Sequence, residues 1–438
     1  MMSSLTLDFE WIDPAEAKGE ELRATWAKLE ILLGDTAITR LIDYGSRGIR
    51  NSVFLPLYPL AEWLATNWWF LFYEVETLGR STSDQYDRRH NLRYGSEGFA
   101  VPSLTIQPLG EQIRLEWKRI RLDAQNLEFT ESGSALVSAQ ELRQTFSDFI
   151  SAVLKRLQEM GIEDTLLEEE WKSLQAVDPE ERDFCSAVAS LGLDPYTLDE
   201  GQQQTILDVS ELLPASLLGD FFAVADLSAL PAQARQVLAA LESGRHNTAN
   251  LKALKSLKEE LAATKEMPGR PWQQGYQFAQ ELRQHLNLNG EKLSSLRLLA
   301  KALDISSQQL HLAISKMPAL PSSLDALGAT NSRQSPGFVV SERRGEAVRF
   351  AFCRALFEYL KVPADQPLIV TRARSERQKR NRAFAAEFLV PADLLREALP
   401  GDVVGDEDID DLAADFGVSP SVIRHQIENH ELARSLPD

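Results

Sequence analysis

From Ser138 the chain reads Ser-Ala-Gln-Glu and then sets Leu142, Phe146, Phe149, Ile150, Val153, Leu154 and Leu157 at helical spacing as far as Gly161. A serine three residues ahead of a glutamate is a capping box, and apolar residues three and four apart cover one helix face, so the pattern predicts a long amphipathic helix from 138. Residues 1–137 read differently. The pieces LTLDFEW (5–11), FAVPSLTI (99–106), IRLEWKRI (113–120) and NLEFT (126–130) have the alternation and the β-branched and aromatic content of strands. Between them, LPLYPLAEWLATNWWFLFYEVE (55–76) reads as one apolar helix beginning near Pro59, since proline is tolerated in a first turn. Residues 1–137 are therefore expected to be an α+β domain, with Trp63, Trp68, Trp69, Phe70, Phe72 and Tyr73 in its core.

After the 138 helix come an acidic stretch (163–184), LGLDPYTLDE (191–200) and further helical runs to about 265, which predicts a helical middle domain over 138–267. KEMPGRPW (265–272) has the Pro and Gly punctuation of a linker. Beyond it, 275–288 and 294–314 read as helices, SPGFVVSERR (335–344) as a strand, RFAFCRALFEYL (349–360) as a helix and LIVTRAR (368–374) as a strand. The expected fold class is α+β, predominantly helical and multidomain, with a last domain over 268–438.

Length and composition agree with this division. The chain has 438 residues, 44% hydrophobic and 25% charged, the balance of packed domains and too many residues for one core. Forty-six Lys and Arg against 65 Asp and Glu give a net charge of −19, so a nucleic-acid contact would have to be local and an anionic membrane is repelled. Cys185 and Cys353 each sit in an apolar run, as reduced, buried thiols do. With no basic segment leading into an apolar one at the start of the sequence, and no apolar run of bilayer length, a cytoplasmic location without membrane contact is expected.

The last third carries an ordered set of blocks: Phe278–Leu288, then Leu299-Ala-Lys-Ala-Leu-Asp-Ile305, the stretch Arg349–Leu360, Phe384-Ala-Ala-Glu-Phe-Leu-Val-Pro391, and Leu412-Ala-Ala-Asp-Phe-Gly-Val-Ser419. In order and spacing these resemble the ImmA/IrrE family of zinc metallopeptidases, and the resemblance implies a zincin-like domain over 268–438. In that family the third block reads R-F-T-L-A-H-E-L-G-H-Y-L. Two imidazoles one helical turn apart bind zinc there, and the glutamate between them serves as general base. This chain sets Arg354, Ala355 and Glu358 at those three positions, and Gln378 at the position of the third ligand; a closer reading of the pattern gives Arg380, while Glu376 falls two positions early. A guanidinium has no lone pair to give. The site is therefore expected to be degenerate, with no metal, no cofactor and no catalytic residue, and with Arg354 and Glu358 pairing at i, i+4 in the metal's place. The resemblance implies a regulatory setting, in mobile-element, phage-defence or stress-response pathways, with another protein held as partner in the old substrate groove.

Other chemistry stays open at this point. Glu358 and Glu387 could recruit a metal as unusual ligands. Cys353 could act as a nucleophile, although none of the six histidines lies near it in sequence. The run TRARSERQKRNR (371–382) gathers Arg372, Arg374, Arg377, Lys379, Arg380 and Arg382 into a basic patch able to meet phosphates or an acidic protein, or to pair with internal acids such as those of GDEDIDD (405–411). It lacks aromatic residues for base stacking. Segments 298–314 and 411–427 are helix-turn-helix-like, the second with Arg424 and His425, which leaves a DNA-binding regulator as a further alternative.

Overall fold

Alternation in the first sixty residues builds a sheet. Leu5–Trp11 (β1) and Trp26–Leu33 (β2) pair antiparallel with Leu7 opposite Ile31, and β2 sends Ala27, Leu29, Ile31 and Leu33 to the buried face. Val53–Pro56 (β3) pairs with β2 on its other edge. A helix over Tyr58–Thr66 (α1), with Pro59 in its first turn, and a second over Trp68–Tyr73 (α2) divide the expected single apolar helix at Asn67. In the computed structural model, which describes residues 4–13, 18–77, 83–247, 249–261, 269–317, 320–332, 335–341, 345–363 and 366–435, these elements belong to the first of two compact units, Met1–Glu200 and Gly201–Asp438.

The first unit has a second antiparallel sheet of Ser103–Pro108 (β4), Gln112–Lys118 (β5) and Gly133–Ser138 (β6), with β5 in the middle. Ala139–Glu159 (α3) follows directly, its first turn held by Ser138 Oγ, which accepts from the Glu141 N–H at 3.4 Å. Its apolar stripe is buried, and Phe149 meets Phe9 edge-on at 5.8 Å. Trp69, Phe70 and Phe72 are buried while Trp63, Trp68 and Tyr73 are partly covered, so the aromatic stretch is core. Trp68 packs against Trp171 of Leu166–Ala176 (α4), and Pro179–Ser190 (α5) closes over Trp69 through Cys185 and Ala189.

The expected middle segment, 138–267, is helical in its described residues, but its helices do not form one body: α3 to α5 pack into the first unit and the helices after 200 into the second. The apolar stripe of α3 matches the sheet that precedes it, whereas Leu230–Arg245 (α7) lies on the second unit's sheet. There Gly244 and Gly337 meet so closely that a Cβ on Gly337 would fall 2.1 Å from the Gly244 carbonyl oxygen. Residues 265–268, half of the expected linker at 265–272, lie outside the described residues.

The second unit is built on four strands in the order β7–β9–β8–β10: Ile314–Met317 (β7), Leu324–Thr330 (β8), Pro336–Ser341 (β9) and Leu368–Thr371 (β10). β7 and β9 run parallel and the other pairs antiparallel. Ala215–Phe222 (α6) packs on the edge strand β10. Gly345–Lys361 (α9) is buried on all sides from Ala351 to Leu360, which is why its sequence lacks a clean polar face. Pro271–His285 (α8) and Glu376–Leu389 (α10) pack on it through Phe278, Phe357, Phe384 and Phe388, whose ring centroids stand 5.2 to 5.6 Å apart. Asp406–Phe416 (α11), ended by Gly417 in the left-handed conformation, and Pro420–Asn429 (α12) complete the unit. Among the described residues no helix is long and apolar enough to cross a membrane.

The close crossing of α8 and α10 depends on Gly275, where a Cβ would fall 2.3 Å from the Arg380 carbonyl oxygen. Gly275→Ala is expected to cost about 1–3 kcal/mol or more by forcing the helices apart. Urea denaturation of the full chain should show the loss in the transition of the second unit.

Candidate functional site

Arg354, Glu358 and Gln378, the residues expected at the ligand positions, come together in the middle of the second unit. Arg354, 2% exposed, projects from α9 between the sheet and α10. Its Nε donates to Asn381 Oδ1 at 2.7 Å, its Nη1 to Asp325 Oδ2 at 2.6 Å, and its Nη2 to the Thr371 carbonyl at 2.7 Å and to Gln378 Oε1 at 2.9 Å. Each neighbour is placed by its own element. Ser375 caps α10 by accepting from the Gln378 N–H, which sets Gln378 and Asn381 one turn apart on the face toward α9. Asp325 is the extra residue of a bulge in β8: Leu324 faces Thr371 and Ala326 faces Val370, so the strand steps twice against one step of β10.

Gln378 is completely buried and uses both ends of its amide. Its Oε1 also accepts from the Thr371 N–H at 2.9 Å, and its Nε2 donates to the Ile369 carbonyl at 3.2 Å. Glu358, one turn beyond Arg354, accepts from Arg377 Nε at 2.6 Å and Asn381 Nδ2 at 2.9 Å. The expected i, i+4 pairing of Arg354 with Glu358 is therefore not what forms. Asn381 stands between them, and the cation pairs with Asp325 while the anion pairs with Arg377. Burial lowers the Arg354 pKa against the pull of Asp325 and Glu358, and burial raises that of Glu358 against Arg377 and Asn381.

Arg377 also reaches α6, donating to the Ser216 carbonyl at 3.2 Å and to Asp220 Oδ2 at 3.4 Å, while Ser375 Oγ donates to Asp220 Oδ1 at 2.8 Å. Against its own burial, Glu358 and Asp220 raise the Arg377 pKa. Asp325, Asn381 and Asp220 were not read from the sequence. Asn381 had a signal, an amide three residues after Gln378 in an otherwise charged run. Asp325 depends on a bulge and Asp220 on a distant helix, and neither leaves a local pattern.

These side chains do not fit a zinc ion. The first position offers donors only, Ala355 has no functional group, and Glu358 is held by a guanidinium and an amide. Among the described residues no three His, Cys, Asp or Glu side chains gather as a ligand set. Glu387, the other candidate ligand, belongs to a separate cluster. It accepts from Gln280 Nε2 at 3.0 Å, from Gln426 Nε2 at 2.9 Å and from the Ala392 N–H at 3.4 Å, with His430 Nε2 at 3.3 Å. Cys353 is fully buried, and burial pushes its thiol up to about 12, the reverse of what a nucleophile needs.

The basic run is largely engaged inside the fold. Arg377 pairs as described, Arg380 pairs with Glu376 at 3.3 Å, and Arg372 lies 3.6 Å from Asp325. Arg382 donates to the Ala373 carbonyl, and Arg374 and Lys379 are half-buried. The acids are Asp220, Asp325, Glu358 and Glu376, not the expected 405–411 segment, which forms the first turns of α11 and pairs Asp406 with Arg424. The two helix-turn-helix-like segments are short helix pairs, Leu296–Ala302 with Ser307–Ala313 and α11 with α12. In α12, Ile423, Gln426 and Ile427 face the core and His425 faces out.

Residues 364–428 match the family model of peptidase M78, described as the IrrE N-terminal-like domain, so the chain contains an IrrE/ImmA-like domain. The match takes in β10, α10 and most of α12, with Gln378, Asn381 and Glu387, and leaves α9 outside. No curated protein and no solved structure matches the chain.

Two substitutions test the geometry. Arg354→Met should cost about 3–5 kcal/mol, since it removes the guanidinium that Asp325, Asn381, Gln378 and the Thr371 carbonyl share; the urea midpoint of the second unit reports it. Against burial, the His430 imidazole 3.3 Å away and hydrogen bonds from Gln280 and Gln426 hold Glu387 below its ordinary carboxyl pKa of 4.5. A depressed folded pKa gives stability that is full above the unfolded value and is lost as pH falls through the folded one. The stability gap between wild type and Glu387→Gln should thus be full near neutral pH and close as pH falls below about 4.5.

Proposed function

We propose that the IrrE/ImmA-like domain of this chain is catalytically silent and works as a protein-binding regulatory or scaffold subunit. The observation that carries this reading is Arg354: a permanent cation at the first ligand position, with its donors committed to Asp325, Asn381, Gln378 and the Thr371 carbonyl. A metal-activated water needs an electropositive ion with an open coordination position and a base beside it. Here the positive charge is a guanidinium that cannot lower the pKa of a water by coordination, and the base position is Ala355. The resemblance of α9 to the zinc helix, on which this reading also rests, comes from the order of the blocks around it. Regulation of the kind in which active relatives cleave repressors or antitoxins is the setting that the resemblance supports, with a held segment in place of a cut one.

The test is metal analysis of the full chain purified without chelators, together with digestion of unfolded protein substrates. Zinc far below one ion per chain and no cleavage, with or without added zinc, are expected. Stoichiometric zinc that disappears in Glu358→Ala would sink the reading. Native mass spectrometry of the protein from its own cells should show a stoichiometric protein companion, and a solitary chain there counts against the scaffold role.

A further inference from the structure

Where α7 ends, the chain turns through residues 246–251 into the helix Lys252–Leu261 and leaves a cavity of about 660 Å³ beside Asn331, Ser332 and Ser335, between β8 and β9. Its charged lining is wholly positive. Arg245 comes from the last turn of α7, Lys252 and Lys255 come from the helix, and no acid is among the described lining residues. In a chain of net charge −19 this is a local reversal of sign. Lys252 and Lys255 stand three apart, the spacing that puts two side chains on one helix face with their Cβ atoms about 5–6 Å apart. A round space of that volume is about 11 Å across, a span that long side chains can close around one small ligand.

The frame of the cavity is fixed without these cations. Asn247 Nδ2 donates to the Pro336 carbonyl at 2.7 Å, and Asn331 Nδ2 to the Asn247 carbonyl at 3.0 Å. Ser335 Oγ donates to the Ala249 carbonyl at 2.8 Å and accepts from the Leu251 N–H at 3.2 Å, so the loop is tied to the strands before the helix begins. Lys258, further along the same helix, shows the contrasting use of a lysine: its Nζ donates to the Tyr359 and Val362 carbonyls at 2.6 Å and secures the end of α9. Lys252 pairs with no acid among the described residues. Arg245 lies 3.3 Å from Glu242, which also faces His246 at 3.4 Å, and Lys255 lies 3.9 Å from Glu259; all five side chains are between 42% and 74% exposed. Exposed pairs of this kind hold their partners weakly, so both cations can turn to a ligand.

We propose that this cavity binds a phosphate-bearing small molecule through Arg245, Lys252 and Lys255. A phosphate carries close to two negative charges and three strong acceptor oxygens, which several separate donors can meet at once. Besides the three cations, Asn250 and Ser332 line the cavity with side chains that have no hydrogen-bond partner among the described residues. Leu251 and Lys252 also bring the positive end of a ten-residue helix to the wall. A carboxylate, with two oxygens in one plane, is met in full by a single guanidinium fork and would leave most of these donors unused. The lining has no aromatic ring on which a base could stack, which disfavours a nucleic-acid strand. None of these residues takes part in the Arg354 network, so the site stands whether or not the domain is catalytically silent.

The experiment is isothermal titration calorimetry of the full chain at low salt with three probes: pyrophosphate, citrate at matched ionic strength, and a mixed-sequence DNA duplex. Pyrophosphate should bind at one site per chain, and citrate about tenfold more weakly. Lys252→Met should weaken pyrophosphate about tenfold, and Lys252→Met with Lys255→Met about a hundredfold. Arg245→Lys, which keeps the charge and loses the fork, should fall between wild type and Arg245→Met. Lys155→Met removes an exposed cation of the first unit, the same change in net charge, and should bind as wild type does. The substituted side chains are exposed, so the unfolding midpoint without ligand should stay near that of wild type. Pyrophosphate should raise the wild-type midpoint and leave that of the double variant where it is.

Absence of pyrophosphate binding overturns the proposal. So does equal weakening by Lys252→Met and Lys155→Met, which marks attraction to net charge alone. Citrate bound as tightly as pyrophosphate overturns the assignment to phosphate, and a duplex bound more tightly with the same dependence on Lys252 replaces the small molecule by nucleic acid. Should Lys252→Met fail to fold, Lys255→Met and Arg245→Met decide in the same way, each against Lys155→Met.

Discussion

The second unit depends on one buried cation being fully received. Arg354 sits where a charge costs most, and its acceptors come from β8, β10 and α10. Removing a guanidinium from water carries a penalty of several kcal/mol, which is offset only when its donors are all met in good geometry. That requirement constrains everything near it. The bulge at Asp325, the cap at Ser375 and the register that brings the Thr371 carbonyl to α9 each deliver one acceptor to one point in space.

The same requirement orders the surrounding charges. Glu358 could have cancelled Arg354 directly, but each instead takes a second partner, Arg377 for the anion and Asp325 for the cation. Charge is thereby passed outward in steps: from Arg354 to Asp325 and Arg372, and from Glu358 to Arg377 and Asp220. On the α6 side the alternation ends at Asp220, whose side chain is only 8% exposed.

Much of this was legible in the sequence because it rests on local pattern. The strand pieces at 5–11, 113–120 and 126–130, the capped helix from 138, and the helices of the last third each carry their own period or cap. Leu324–Thr330 was not legible: Leu-Asp-Ala-Leu-Gly-Ala-Thr has little β-branched content and is a strand because β9 and β10 flank it. The grouping of helices into units was equally hidden, since α3 and α7 are similar amphipathic helices and only their packing partners differ. At the site, Arg354, Glu358 and Gln378 could be found from block spacing. Which charge pairs with which could not, because the spacing of Arg354 and Glu358 on one helix says nothing of Asn381 arriving from another.

Gln378 and Asn381 show why the residues around Arg354 make sense as a set. A glutamate at 378 would give Arg354 a stronger acceptor, yet it would also turn a carboxylate oxygen toward the Ile369 carbonyl, where Gln378 now donates at 3.2 Å. Acceptor against acceptor in a buried place is repulsive, so with Arg354 present the neutral amide is the better residue. Asn381 solves the matching problem between the charges: its oxygen receives the cation and its nitrogen serves both Glu358 and Gln378 Oε1, the latter at 3.1 Å. An imidazole at 354 alone would take the Arg354 guanidinium from Asp325, which keeps Arg372 at 3.6 Å, and from Asn381 Oδ1. These hydrogen bonds hold α9 to α10 as one set, and changing one member requires several residues to change together.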